Sequence, residues 1–203
     1  MTVARRFVLA SASVGRLGVL RMAGFDPEVV VSGIDEDIVA PDLPGAKRVV
    51  VLAEAKLAAV VEDAPERLTE AVVLACDSMF EFEGSFVGKP PNVDVARERI
   101  HSMRGNSGEL HSGHAVIDMV TGRRASAGAT TVVRFGHPSD EEVEAYLATG
   151  ESLRVAGGFT LDGRSAPFLD GIVGDHGNVI GVSLPLVREL LAQIDVGITE
   201  LWT

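Results

Sequence analysis

The sequence predicts an α/β protein in which apolar strands alternate with helices. The chain opens with the apolar run 7–10, and leucines at 17 and 20 then repeat at the spacing of one helix face. Two long strand-like stretches, 110–120 and 125–135, follow each other closely and are joined by a short turn. The chain has 203 residues, of which 46% are hydrophobic, so it can bury a sizeable core.

The remaining elements follow from apolar runs and from residues that begin or end helices. Ser13 and Asn92 are suited to cap helices, and Ser139 with Glu142 forms a capping-box pattern. Pro185 suits the first turn of a last helix. The predicted strands are 28–32, 71–76 and a hairpin at 79–87, the predicted helices are 13–24, 48–61, 93–103, 139–150 and 185–193, and short strand-like pieces lie in the glycine-rich stretch 157–181.

Composition and charge disfavour several classes of protein. The net charge of −11 argues against a general nucleic-acid binder, because such proteins usually carry a basic face. The single cysteine, Cys76, leaves no internal disulfide and suits a reducing cytoplasm. The first residues lack the pattern of a signal peptide, and no stretch approaches the roughly 18 apolar residues of a membrane span. We therefore expect a cytoplasmic protein with neither a nucleic-acid nor a membrane partner.

Several familiar ligand-binding signatures are missing from the sequence. No two glycines stand two positions apart, which removes the dinucleotide-binding fingerprint. The pair Gly88-Lys89 is followed by proline, so it does not form a P-loop. His111 and His114 are three residues apart on a predicted strand and would face opposite sides, which disfavours a shared zinc ion.

Polar residues instead end or interrupt the apolar runs. They are Ser11, Ser13, Arg16, Glu36, Lys56, Asp77, Ser78 and Lys89. Each has an ordinary explanation as a helix cap, a turn residue or a solvated charge. Asp77 fits its ordinary role least well, because it directly follows the apolar run 71–76 and is expected at the end of a buried strand, where ligand sites of α/β folds gather.

Together these polar residues predict an anion site. The start of a helix offers free backbone N–H groups and a favourable dipole, and the serine hydroxyls add further donors. Arg16, Lys56 and Lys89 would supply the positive charge that phosphates require. Carboxylates beside these cations are suited to a divalent metal ion and to activation of a water molecule. The turn after the first strand could therefore hold a polyphosphate.

Seven segments, in order along the chain, carry a family resemblance. They read LASASVGR, GIDED, LAEAK, ACDS, VGKP, YLATGESLRVAGGFTLDG and GNVIGVSLPL. Each is weak alone, but all seven in register between residues 7 and 190 resemble the Maf family of nucleoside triphosphate pyrophosphatases. The resemblance implies two lobes around a long curved mixed sheet, similar to inosine triphosphatases, with the active site in the cleft. It implies that 1–203 form a single domain.

The resemblance also implies an activity and roles for individual residues. The activity is a metal-dependent cut between the α- and β-phosphates of a nucleoside triphosphate, which yields nucleoside monophosphate and pyrophosphate, and such enzymes are often homodimers. By position, Asp77 matches the catalytic base of the family, and Ser11, Ser13 and Arg16 match its phosphate-binding turn. Lys56 and Lys89 match the lysines of the cleft. Glu36 and Asp77 would hold Mg²⁺ or Mn²⁺.

The chain departs from the family that it resembles at positions where that family is thought to read the base. Thymidine- or uridine-preferring members carry arginine at the position of Gly15, threonine at Ser78 and glutamine at Asp162. An ionised aspartate only accepts hydrogen bonds, whereas glutamine also donates them. Many relatives carry lysine at the position of Val155, and if this stretch is a strand, Arg154 points to the opposite face. A thymidine or uridine triphosphate, or a modified form of one, is the expected substrate.

Two other functions stay open at this point. One is a nucleotide-binding regulator of cell division and septum formation with little turnover, and the other is a structural domain whose charges only aid solubility. Asp77, Glu36 and the two lysines disfavour the regulator, because a protein that merely binds a highly charged anion has no need of a carboxylate base. Seven ordered motifs disfavour the structural domain.

Overall fold

A computed structural model of the protein describes residues 5–203 and confirms a mixed α/β architecture. The first four residues of the predicted domain 1–203 lie outside the described residues. The strands are β1 (Phe7–Leu9), β2 (Glu28–Val29), β3 (Val72–Phe82), β4 (Ser85–Val87), β5 (Ser107–Asp118), β6 (Arg124–Phe135) and β7 (Leu169–Val173). The helices are α1 (Val14–Met22), α2 (Gly45–Asp63), α3 (Val93–Met103), α4 (Asp140–Leu147), α5 (His176–Ile180) and α6 (Leu184–Gln193).

All the strands belong to one sheet. Its order is β2-β1-β3-β5-β6-β7, and β4 pairs with the far end of β3. Strand β1 lies parallel to β2 and β3, whereas the other pairs are antiparallel, so the sheet is mixed. Strands β3 and β5 pair from Val72 opposite Asp118 to Glu81 opposite Glu109. This long ladder runs through the middle of the sheet and carries the candidate site.

The core divides into three apolar clusters around this ladder. Helix α2 covers one face of the sheet, where Ala53, Leu57 and Val60 pack against residues such as Val73 and Ala75. Helices α1 and α6 cover the other face, over alternate residues of β1 and β3. The third cluster surrounds the far end of β3 and contains residues of α3, α4 and β6. Alternation of side chains along β3 explains why neighbouring residues enter different clusters.

Local capping signals predicted several helices correctly. Helix α3 has the expected bounds, and the Asn92 side chain accepts a hydrogen bond from the Val95 amide. Helix α4 begins with the full capping box between Ser139 and Glu142, although it ends at Leu147, short of Gly150. Helix α6 carries Pro185 in its first turn, as expected. No helix in the part of the chain that the structure describes is long and apolar enough to cross a membrane.

Other boundaries were wrong by a few residues. Helix α2 begins at Gly45 rather than at residue 48, and the Phe86 ring occupies the space that a Cβ atom on Gly45 would need. Strand β2 has two residues instead of five, and the stretch 157–181 forms 3-10 turns, β7 and α5. Strand β5 ends at Asp118 because its carboxylate accepts bonds from the Val120 amide and the Thr121 hydroxyl.

The apolar run at 71–76 does not end at Asp77. Strand β3 continues through Asp77 to Phe82, so the prediction of a strand end at this residue was wrong. A carboxylate is tolerated in the middle of a buried strand because a lysine from α2 pairs with it. Asp77 therefore lies on the sheet face that α2 covers.

Candidate active site

Three charged side chains from separate elements meet beside the middle of β3. The Lys56 Nζ lies 2.6 Å from Asp77 Oδ1 and 2.7 Å from Glu36 Oε1. Lys56 and Asp77 are buried, whereas the Glu36 side chain is 55% exposed. We call this group the carboxylate–lysine cluster. It brings together three of the four charged residues that the resemblance assigns to the base, the metal and the lysines of the cleft, and Lys89 is the fourth.

Helix α2 delivers Lys56 because its backbone lies directly on β5. Gly113 stands opposite Asp77 in the β3–β5 pairing, and a Cβ atom there would overlap the backbone of α2 at Val49. Glycine permits this close approach. Lys56 follows Val49 by about two helical turns and reaches Asp77 from the same helix.

The donor set of the carboxylate–lysine cluster fits a hard divalent cation. Lys56 binds one oxygen of each carboxylate, and within the described part of the chain Asp77 Oδ2 and Glu36 Oε2 accept no hydrogen bond. Mg²⁺ usually takes one or two protein carboxylates and completes its shell with water and substrate phosphates. The described residues contain no group of three or more acidic, histidine or cysteine side chains that could hold a metal ion alone. Substrate oxygens or water would therefore have to complete the shell.

The turn between β1 and α1 ends in a helix N-terminus with unused donors. Ser13 Oγ accepts a hydrogen bond from the Arg16 amide, and Ser11 Oγ accepts one from the Ser13 amide. Among described residues, the Val14 and Gly15 amides find no acceptor. Free amides at a helix start, together with the helix dipole, attract an anion. Both serines thus shape the turn that was predicted from the sequence.

Arg16 ties this turn to β3 and to the segment after α5. Its Nη1 donates to Ser11 Oγ at 2.9 Å and to the Cys76 carbonyl at 2.8 Å. Its Nε donates to the Gly181 carbonyl, and Nη2 donates to Ser78 Oγ. Four of the five guanidinium N–H groups are thereby used inside the protein. Arg16 can offer a phosphate one remaining N–H and its charge, and it also holds the site together.

The residues expected to read the base also meet. A Cβ atom on Gly15 would lie 3.8 Å from Asp162 Oδ2 and 2.9 Å from Ile180 Cγ2, so a larger residue at position 15 requires Ile180 to move. Asp162 is exposed. Ser78 joins the same region through Arg16 and through a 2.8 Å contact between its Oγ and that of Ser112. Ile180 is a lining residue that the sequence did not single out.

Lys89 and Arg154 are both exposed, and neither forms a hydrogen bond or ion pair with another described side chain. Lys89 follows the hairpin strand β4, whose Val87 pairs with Phe80, so the chain at Lys89 runs back toward the residues beside Asp77. The structure does not bring its amine into the carboxylate–lysine cluster. Arg154 ends a 3-10 turn, so the strand considered for this stretch is absent and Val155 follows that turn in extended conformation.

Sequence reasoning missed two polar residues that support the site. His114 is fully buried; its Nδ1 lies 3.2 Å from the Ser112 carbonyl, and Nε2 accepts a hydrogen bond from the Ser183 amide. Burial, and then the charge of Arg16, lower the pKa of His114 to about 4, so it is neutral at pH 7. Arg48, the second, contacts the loop that carries Glu36.

Burial raises the pKa of the Cys76 thiol to about 12, which makes it unreactive.

Comparison with known proteins shows the family of this chain. The family model described as Maf-like protein matches residues 6–194. The chain belongs to the Maf family. This match covers the phosphate-binding turn, the carboxylate–lysine cluster and the segment around Gly181, so every residue discussed above lies within it.

Similar proteins have names that refer to an activity. A nucleoside triphosphate pyrophosphatase of Streptomyces avermitilis is 56% identical over 199 residues, which cover 98% of this chain and 95% of that protein. One from Streptomyces coelicolor is 57% identical, with coverage of 98% and 95%. A dITP/XTP pyrophosphatase structure from Mycobacterium abscessus aligns at a TM-score of 0.35 and 12% identity over 64% of this chain and 74% of that one, too weakly to bear on fold or function.

Proposed function

We propose that this Maf protein is a nucleoside triphosphate pyrophosphatase that cuts between the α- and β-phosphates. Water adds its oxygen to the α-phosphorus, the bond from that phosphorus to the bridging oxygen breaks, and nucleoside monophosphate and pyrophosphate are released. The observations that carry the proposal are the carboxylate–lysine cluster on β3 and the free amides at the start of α1, which Arg16 ties to β3 at the residue before Asp77. Two relatives that bear this name, at 56% and 57% identity, support the reaction class.

Asp77 is the general base in this proposal. It is held rigidly in the middle of a strand, and Lys56 binds only its Oδ1. The free Oδ2 can accept the proton of a water molecule as that water attacks the α-phosphorus. A positioned carboxylate base of this kind typically contributes about 10²–10⁴-fold to the rate.

Lys56 orients both carboxylates and keeps positive charge at the buried end of the site. The Val14 and Gly15 amides bind phosphate oxygens at the N-terminus of α1. Lys89 supplies an exposed cation on the segment after β4, and in this proposal it stabilises the pyrophosphate as it leaves. Arg16 keeps the turn and β3 in register and adds charge to the phosphate site.

We also propose that Glu36 and Asp77 hold a divalent cation, Mg²⁺ or Mn²⁺, during turnover. Both ions prefer oxygen ligands. Glu36 Oε2 could bind the ion directly, and Asp77 could hold it through a shared water molecule, which leaves Asp77 Oδ2 available as the base. A bound divalent cation would supply charge stabilisation for the phosphates and would favour the ionised form of an attacking water.

The resemblance favours a substrate with a pyrimidine nucleobase, namely a thymidine, uridine or modified pyrimidine triphosphate. The proposed role is the removal of such nucleotides from the nucleotide pool. Gly15 and Asp162 lie together and would read the base, with Ile180 beside them. Changing Asp162 to glutamine adds a hydrogen-bond donor and is expected to alter the ranking of bases more than the overall rate. An unchanged ranking would mean that Asp162 does not read the base.

The proposed setting is the cytoplasm, and the proposed assembly is a homodimer of single-domain, two-lobed chains. The lone buried cysteine is consistent with a reducing compartment, and the dimer rests on the resemblance. Sedimentation of the purified protein would test the dimer.

A panel of standard and modified nucleoside triphosphates, assayed for pyrophosphate release, tests the proposed function. We expect release of nucleoside monophosphate and pyrophosphate in equal amounts from at least one of them. Release of inorganic phosphate and the diphosphate would contradict the proposed bond cleavage. Tight nucleotide binding without turnover would instead favour the regulator of cell division.

A further inference from the structure

Glu36 reaches the carboxylate–lysine cluster from the loop between β2 and α2. The loop contains a 3-10 turn, Glu36–Ile38, and the Val39 amide donates to the Glu36 carbonyl. The Glu36 side chain is more than half exposed, and an exposed ion pair alone contributes little to holding a loop in place. A contact on the backbone of this turn would therefore help to keep the Glu36 carboxylate beside Lys56.

Arg48 provides this second attachment. Its Nη2 donates to the Glu36 carbonyl at 3.1 Å, and its Nε donates to the Val39 carbonyl at 3.2 Å. The planar guanidinium thus binds the first residue of the 3-10 turn and the residue just after it. Both atoms it contacts belong to the backbone, so the contact fixes the path of the chain.

Helix α2 therefore contacts the loop at two points. Arg48 and Lys56 are eight residues apart on α2, a distance of about 12 Å along the helix axis. Arg48 binds the backbone of the turn, and Lys56 binds the carboxylate that the turn presents. Helix α2 therefore fixes the position of the Lys56 ammonium group and also the position of the Glu36 carboxylate that pairs with this group.

We propose that Arg48 is a positioning residue that holds Glu36 in the carboxylate–lysine cluster. This inference rests on the proposed function as far as Glu36 serves catalysis, but its structural part does not. Lysine cannot replace arginine here, because a single ammonium group lacks the planar pair of donors that spans the turn. Loss of the contact would free residues 36–39 while leaving Asp77 and Lys56 in place.

Amide hydrogen exchange of the substrate-free protein tests the structural part. In Arg48→Ala and in Arg48→Lys we expect the Val39 amide to exchange on the order of tenfold faster, because two hydrogen bonds that close the turn are lost or weakened. The matched control is Lys47→Ala, an exposed cation of the same helical turn, which should leave this amide unchanged. Unchanged exchange in Arg48→Ala would overturn the inference.

A double-mutant cycle with Glu36→Gln tests the catalytic part. We expect Arg48→Ala to lower pyrophosphate release by about tenfold in the wild-type background and to raise the half-activating Mg²⁺ concentration. In the Glu36→Gln background Arg48→Ala should have no further effect, since the carboxylate that Arg48 positions is already absent. Losses that multiply would contradict action through Glu36. A wild-type protein without pyrophosphatase activity would contradict the proposed function. The hydrogen-exchange experiment alone would then decide whether Arg48 holds the turn in place.

Discussion

Replacing Lys56 with methionine is expected to destabilise the protein by leaving a buried carboxylate without its partner. Methionine keeps the unbranched apolar length of the side chain, with a sulfur in place of one methylene, and removes the ammonium group. Asp77 is 5% exposed and Lys56 is 8% exposed, so their pair belongs to the buried class. The Glu36 half of the contact is largely exposed and adds little.

The magnitude follows from these two burial states. Removing one partner of a buried pair typically costs about 3–5 kcal/mol, whereas an exposed pair costs at most about 1 kcal/mol. We therefore expect a loss of about 3 kcal/mol in the free energy of unfolding. For a chain of this size, that corresponds to a fall in Tm of about 6–12 °C.

Urea unfolding at pH 7 and matched protein concentration measures this loss. The double variant Lys56→Met with Asp77→Asn should recover most of it, because replacing both members of a buried pair is often close to neutral. Lys47→Met, a change of an exposed lysine on the same helix, is the control and should change stability little. The reasoning would be refuted if Lys56→Met were as stable as the wild type. It would also be refuted if the double variant were no more stable than Lys56→Met.

Three further predictions follow from the structure. Lys89→Ala should lower kcat/KM without lowering the midpoint of urea unfolding. Arg16→Ala should lower both, because Arg16 makes four hydrogen bonds within the protein. Equal stability of the two variants would contradict this expectation. Stability should fall between pH 6.5 and about 4, because the folded protein keeps His114 neutral while the unfolded chain binds a proton, and the full effect is about 3 kcal/mol. In the variant with His114 replaced by glutamine, the free energy of unfolding should change less between pH 7 and pH 5.5 than in the wild type. The same pH dependence in both proteins would exclude His114 as the cause. Removal of bound metal followed by excess chelator should abolish pyrophosphate release, and added Mg²⁺ or Mn²⁺ should restore it; full activity in chelator would refute metal dependence.

Features that depend on neighbouring residues could be predicted from the sequence. Asn92 alone indicates where α3 begins, and Ser139 with Glu142 indicates the start of α4, because a cap acts over three or four residues. The serines of the β1–α1 turn are found in the same way. The family resemblance then supplied the candidate roles of residues that no local pattern connects.

Features that depend on distant partners could not be predicted. Strand β3 continues through Asp77 because Lys56, 21 residues earlier in the chain, pairs with its carboxylate. Helix α2 begins at Gly45 because Phe86 packs on that glycine from a hairpin far along the chain. Arg16 looked like a solvated charge or a phosphate ligand, yet it forms a bond with the carbonyl of Gly181, 165 residues away. Such pairings become visible only in the folded chain.

The measurement that most directly tests the catalytic role of the site is turnover by Asp77→Asn. The change keeps the size of the side chain and an oxygen that can accept a hydrogen bond from Lys56, but it removes the charge and the basicity. Pyrophosphate release should be measured at saturating metal and nucleotide, with circular dichroism to verify folding and with Asp63→Asn, at the exposed end of α2, as the control. We expect a folded Asp77→Asn protein whose turnover falls on the order of 10²–10⁴-fold, with the control unchanged. A folded Asp77→Asn protein that releases pyrophosphate at nearly the wild-type rate would contradict the role of Asp77 as the base.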